Sequence, residues 1–254
     1  MSMLLRYSVV LLFVLAFTSC KEKPNAPNAQ EIVDKAIKAC GGDGYTSNRF
    51  DFEFRDRQYG LSRDTHGRKI MTRSWKENDS TLVLDSLYRS KMNRHINGKP
   101  EVLADSMAFK YANSINSVHY FAYLPYGLND AAVHKSYLGS SQIKGKEYHK
   151  IKITFSPENG GKDFEDTFVY WINQESYYVD YLAYDYITDG GGVRFRVAYN
   201  ERMVNGVRFV DYENYKPKDK ATAKVATMDS LYLNQGLELL SKIALEKVTV
   251  SPLP

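Results

Sequence analysis

The chain holds few of the residues that carry sharp chemistry. Cysteine occurs twice in 254 residues, as Cys20 and Cys40, which excludes a disulfide framework. The five histidines, His66, His95, His119, His134 and His149, are scattered, with no H-x-H or HExxH spacing, so neither a metal site nor any other cofactor is expected. There is no G-x-S-x-G elbow to raise a nucleophilic serine. Charge of one sign is also scarce. Lys and Arg number 34 against 30 Asp and Glu, a net of +4 that is too mild for a protein held to nucleic acid by phosphate neutralisation. No apolar stretch reaches the roughly 20 residues that cross a bilayer as a helix. What the chain does have is aromatic residues. It carries 20 Tyr, 12 Phe and 2 Trp, weighted toward types that favour strands. With 43% hydrophobic and 25% charged residues, the rest is an ordinary globular balance.

The first residues read as a leader. Arg6 precedes an apolar run over residues 7–17 (YSVVLLFVLAF), the length of a signal-peptide h-region. The run ends in Phe17-Thr18-Ser19-Cys20, which resembles the lipobox of bacterial lipoproteins, with Phe17 where Leu is usual and Ser19 where Gly or Ala is usual. The resemblance implies that residues 1–19 are a signal peptide and that Cys20 is acylated and attached to membrane lipid. By the same resemblance, Lys21, unlike the Asp that retains lipoproteins in the inner membrane, implies the outer membrane of a bacterial envelope. Residues 20–29 are polar, contain Pro24 and Pro27, and read as a flexible tether. Cys40 then stands alone on the apolar face of a helix, as a small buried hydrophobe.

From residue 30 to the end, the pattern predicts one β-rich domain. Asn28 with Glu31 three residues later caps a helix over residues 30–39, and Ile32, Val33, Ala36, Ile37 and Cys40 recur at helical spacing until Gly41-Gly42. The period then falls to 2. Phe50, Phe52 and Phe54 alternate with Asp51, Glu53 and Arg55, Ile151, Ile153 and Phe155 with Lys150, Lys152 and Thr154, and Val193, Phe195, Val197 and Tyr199 with Arg194 and Arg196. Residues 69–76, 81–96, 164–173, 177–187 and 237–250 also fit strands, and Asn97-Gly98 and Asn205-Gly206 mark hairpins. A helical insert is expected near residues 105–124, and residues 216–227 read as a surface loop. The predicted fold is mainly β (α+β). It is a single curved antiparallel sheet of about eight to eleven strands, an open half-barrel covered by the N-terminal helix and the insert.

Several segments carry a recognisable pattern: AQEIVDKAIKACGG (29–42), SINSVHYFAYLPYGLND (114–130), YLGSSQIKGKEYHKIKITF (137–155), FEDTFVYWIN (164–173) and DYLAYDYITDGGGVRFRVAYN with VNGVRF and DYENYKP (180–217). They resemble a Bacteroidetes-type lipoprotein family of unknown function. More remotely, the order of helix, curved sheet and helical insert is similar to LolA/LolB-type lipoprotein carriers. That similarity implies a half-barrel closed by helices, with acyl chains held in an apolar concavity.

The candidate sites follow. Phe50, Phe52, Phe54, Tyr120, Phe121 and Tyr123 are expected to contribute to a hydrophobic pocket, since tyrosine offers an apolar ring with a polar tip. The aromatic run over residues 119–126 suits core or sheet cover first, and the wall of a ligand pocket second. Thr188–Gly192 (TDGGG) is followed by a strand where a phosphate loop needs a helix, so it reads as a turn or bulge. Its neighbours Asp185, Asp189, Arg194 and Arg196 are candidates for a polar cluster at a sheet end. The function expected is a non-enzymatic envelope lipoprotein that binds or carries a lipid or other hydrophobic ligand. The alternatives are a scaffold lipoprotein that binds a protein partner, and a hydrolase with an acidic site near residues 185–189.

Overall fold

The computed structural model describes residues 27–158, 164–187, 190–221 and 223–253. The leader, Cys20, most of the tether, and Asp189 lie outside the described residues. α1 (Ala29–Cys40) begins where the Asn28 side chain accepts a hydrogen bond from the Gln30 amide at 2.9 Å. It ends at Gly41, whose positive φ lets its amide reach back to the Ile37 and Lys38 carbonyls. Ile32, Val33, Ala36 and Cys40 form its buried stripe, as their spacing predicts.

A single turn, α2 (Gly44–Ser47), leads into the first sheet. β1 (Asn48–Phe54), β2 (Arg57–Arg63), β3 (Lys69–Asn78), β4 (Thr81–Tyr88), β5 (Lys91–Ile96) and β6 (Lys99–Glu101) follow as an antiparallel meander, and β14 (Glu246–Pro252) pairs with β1. α3 (Asp105–Ala122) is the helical insert. It hands the chain to a second meander of β7 (Val133–Ile143), β8 (Lys146–Phe155), β9 (Phe168–Asn173), β10 (Val179–Tyr186), β11 (Gly192–Val204), β12 (Val207–Pro217) and β13 (Leu237–Ile243). α4 (Met228–Leu233) lies between β12 and β13.

The domain is mainly β and antiparallel, and it is open: among the described residues β6 and β7 have no strand on their outer sides. Two seven-stranded sheets stand where one sheet of fewer strands was expected. One cause is turn chemistry. Arg55-Asp56 and Arg89-Ser90 make two-residue hairpin turns with positive φ at both positions, a job usually left to Asn-Gly. Residues 81–96 are therefore a hairpin, and β2 carries no flanking glycine signal. The other cause lies in residues 237–250. That segment breaks at Ala244-Leu245, pairing with β12 before the break and with β1 after it, so one extended segment is the seam between the sheets.

The sheets differ in how many faces they bury. Every residue of β9 is buried. Phe168, Tyr170 and Ile172 face the concave side with Ile151, Ile153 and the α1 stripe, while Val169 and Trp171 face outward with Phe195. The outer side is covered by a 3-10 turn (Val225–Thr227) and α4, where Val225 and Met228 are buried. The C-terminal part of residues 216–227 is thus packed rather than a free surface loop. Asp229 fixes that cover, accepting hydrogen bonds from Trp171 Nε1 at 3.0 Å and Lys150 Nζ at 3.2 Å.

Candidate functional site: a cavity at the seam of the two sheets

The concave side is filled at one end. Phe50 and Phe52 point inward from β1 as their alternation predicts, and both are buried. They stack among Tyr59, His119, Tyr123 and Phe209, with Phe52 and Tyr59 centroids 5.3 Å apart and Phe50 and Tyr123 5.1 Å apart. His119 places Nε2 3.3 Å from the Thr72 carbonyl, and burial pulls its pKa down to about 4, so it packs as a neutral ring. Burial also pushes the Tyr123 phenol far above its usual range. Cys40 belongs to the same cluster, its thiol pushed up by burial to about 11 and so kept unreactive. Tyr120 turns the other way, its hydroxyl 2.6 Å from that of Tyr170 within the second sheet's core. Phe50, Phe52 and Tyr123 are therefore packed as core, Tyr120 packs partly buried against the second sheet's cluster, and none of the four lines the cavity beside them.

Beside this plug the packing opens. A cavity of about 240 Å³ lies between α3 and the seam, bounded by Phe54 of β1, Val118 and Phe121 of α3, Val210 and Tyr212 of β12, and Ile243 of β13. Phe54 and Phe121 are the two aromatic candidates that line it. Its polar contacts come from Ser114 and Ser117 of α3, Arg55 at the β1 end, and Arg196 of β11. Apolar walls with a few polar groups are the usual make-up of a small-molecule site, although this one is smaller than the roughly 300–1,000 Å³ of drug-sized pockets.

Arg196 has a defined setting. It is 8% exposed, its Cζ lies 3.7 Å from the Phe121 ring centroid, and its Nη2 donates to the Tyr184 hydroxyl at 3.1 Å. Its Nε is buried without an acceptor, and no described carboxylate pairs with it. The strand register puts the described members of the expected polar cluster, Asp185, Arg194 and Arg196, on two different faces. Tyr184 stands opposite Arg194 and Asp185 opposite Val193, so Asp185 is on the outward face while Arg194 and Arg196 are on the concave one. Asp185 accepts a hydrogen bond from the Thr167 amide at 2.6 Å, a structural task. Arg194 lies over the Tyr186 ring at 4.8 Å and donates to the Val193 carbonyl.

A second, wider groove of about 660 Å³ runs along the other flank of α3 and holds Arg63, Arg68, Lys69 and Arg89. Most of its cations are already engaged. Arg68 pairs with Asp64 at 2.6 Å, Lys69 with Asp130 at 3.3 Å, and Arg63 donates to the Tyr126 hydroxyl at 2.9 Å. Among the described residues no cluster of His, Cys, Asp and Glu could hold a metal ion, and no helix is long and apolar enough to cross a membrane.

A family model matches residues 6–245. The chain belongs to DUF6503, a family of unknown function. This agrees with the resemblance to a lipoprotein family without an assigned function. No curated protein matches the DUF6503 chain. Among solved structures it is similar to a LolA superfamily protein from Nitrosomonas europaea, with 13% identity, 90% of this chain and 96% of that one covered, and a TM-score of 0.49. It is also similar to a DUF1329 family protein from Desulfovibrio piger (8% identity, 88% and 93% covered, TM-score 0.47). A Vibrio parahaemolyticus domain assigned to outer membrane lipoprotein sorting stands at 8% identity, 88% and 94% covered, and a TM-score of 0.45. None of these similarities gives a ligand, or a role for any residue, in the DUF6503 chain.

Proposed function

We propose that this DUF6503 chain is a non-enzymatic lipoprotein of the bacterial envelope, anchored in the outer membrane through acylated Cys20, whose domain binds a hydrophobic molecule in the seam cavity. The observation that carries the reading is the unfilled apolar space beneath α3, lying directly beside a tightly packed aromatic plug. An apolar cavity left by side chains that interdigitate elsewhere forfeits burial and dispersion, so its persistence suits an occupant. The anchor rests on the N-terminal pattern alone. Two or more acyl chains at about 0.8 kcal/mol per buried methylene hold a protein stably at a membrane.

The test uses the full chain with Cys20→Ser. Fractionation is expected to find the parent with membranes and the variant in the soluble fraction; a variant that still sediments with membranes removes the anchor. Native mass spectrometry of the soluble variant, mixed with envelope lipid extract, is expected to show bound hydrophobic ligand. Val118→Trp, which fills the cavity from α3, is expected to abolish that binding. If the unfilled chain takes up nothing from the extract, the binding reading fails.

A further inference from the structure

Resting on the binding reading, we propose that Arg196 is the headgroup anchor of the seam cavity, and that the ligand is a single-chain carboxylate whose alkyl tail runs along Phe54, Phe121, Val210 and Ile243. A guanidinium taken out of water needs a partner, because removing a charge from solvent without one is severely unfavourable. Two other buried arginines follow this rule. Arg73 pairs with Asp85 at 2.5 Å, and Arg208 with Glu201 at 2.7 Å and Asp180 at 3.3 Å. Arg196 does not. Its neighbours are the faces of Phe121, Tyr184 and Tyr212 and one tyrosine hydroxyl. Aromatic faces stabilise a desolvated cation, but compensate only part of the loss of water.

The surroundings also suit an anion. Burial pushes the Tyr212 phenol up to about 12, so it stays a neutral hydroxyl and adds no negative charge beside Arg196. Burial also raises the Tyr170 phenol, which is close enough to feel the guanidinium, well above its usual range. The cavity's other cation, Arg55, is exposed, so Arg196 is its one buried cation and calls for one negative charge. A carboxylate supplies that and matches the planar guanidinium fork, whereas a phosphate monoester brings about −1.5 to −2. Phe54, Val118, Val210 and Ile243 supply apolar wall, and a volume of about 240 Å³ suits one alkyl chain rather than a multi-chain lipid.

The experiment compares laurate, dodecanol and dodecyl phosphate as competitors of a fluorescent hydrophobic probe on the full chain with Cys20→Ser. Laurate is expected to bind about tenfold tighter than dodecanol, as a charge-assisted bidentate contact implies. Arg196→Met is expected to leave dodecanol affinity in place and abolish the laurate preference. Arg196→Lys keeps the charge without the fork, and the preference should fall about threefold. If Arg196→Met does not fold, Arg196→Lys carries the test. Equal binding of laurate and dodecanol by the unsubstituted cavity overturns the anchor. So does a laurate preference that survives both substitutions. Dodecyl phosphate binding tighter than laurate overturns the carboxylate class. If none of the three chains binds, the cavity reading itself fails, an outcome distinct from loss of headgroup preference alone.

Discussion

Two buried arginines pack under the same helix from different sheets, and their partners differ. On the first sheet Arg73, 2% exposed, gives Nη2 to Asp85 at 2.5 Å and Nη1 to Ser114 of α3 at 3.0 Å. Asp85 is fully buried and also accepts from Arg94 at 2.7 Å, so a carboxylate and two guanidinium groups form a closed set. On the second sheet Arg196 touches α3 through Phe121 and has no carboxylate partner among the described residues. The first arrangement is complete within the fold, while the second lacks a counter-ion and borders the cavity. This contrast separates an arginine that holds the fold from one poised for something outside it.

Breaking the closed set should have the largest effect. Asp85→Ala leaves Arg73 and Arg94 without their counter-charge in a dry setting, and is expected to lower stability by about 3–5 kcal/mol. Urea unfolding of the soluble chain measures it. A loss below about 1 kcal/mol, the size of an exposed pair, would show that water reaches Asp85 and that the two arginines are not so different.

The contrast was only half legible in the sequence. The α1 stripe, the β1 alternation, the insert and the Asn-Gly hairpins at 97–98 and 205–206 follow from local spacing, and the structure has each of them. The two faces of β11 do not. Val193, Phe195 and Val197 look like the inward set because apolar residues usually face the core, yet that set faces outward beneath Val225 and Met228. Its arginines consequently point into the concavity. A sheet buried on both faces breaks the link between alternation and sidedness, and nothing local reports that a distant segment covers the outer face. The same limit applies to the aromatic candidates. Phe50 and Phe54 share a face of one strand, but only the position of α3 decides that the first is plugged and the second borders a cavity.

The plugged end offers a second, smaller effect, driven by acid. His119 has a pKa of about 4 in the fold against an ordinary 6.5, because burial opposes its charge. Its folded value lies below its unfolded one, so the unfolded chain binds the proton first. The stabilisation is complete above about pH 6.5 and is lost as pH falls, down to about pH 4, for a total of ~3 kcal/mol. Urea titrations at several pH values should show this limb, and His119→Phe, which keeps a ring among Phe52, Tyr59 and Tyr123, should flatten it. An unchanged limb in the variant would assign the acid loss to other groups and place water around His119.

The least change in stability is expected at Arg196. Arg196→Met replaces a buried cation that lacks a counter-ion with an apolar side chain that can cover Phe121 and Tyr212. The change removes a hydrogen bond to Tyr184 and a stacked contact, and also an uncompensated charge. Buried ionic groups replaced by apolar ones of similar size often leave stability unchanged or raised, so the ligand-free variant should unfold within about 1 kcal/mol of its parent, or later. Paired urea curves of Asp85→Ala and Arg196→Met test this directly. If Arg196→Met lost as much stability as Asp85→Ala, Arg196 would be holding the sheet and helix together, and its missing carboxylate would have no bearing on a ligand. A neutral result means instead that the fold keeps a desolvated charge it does not need for stability. Such a charge is maintained by what it binds.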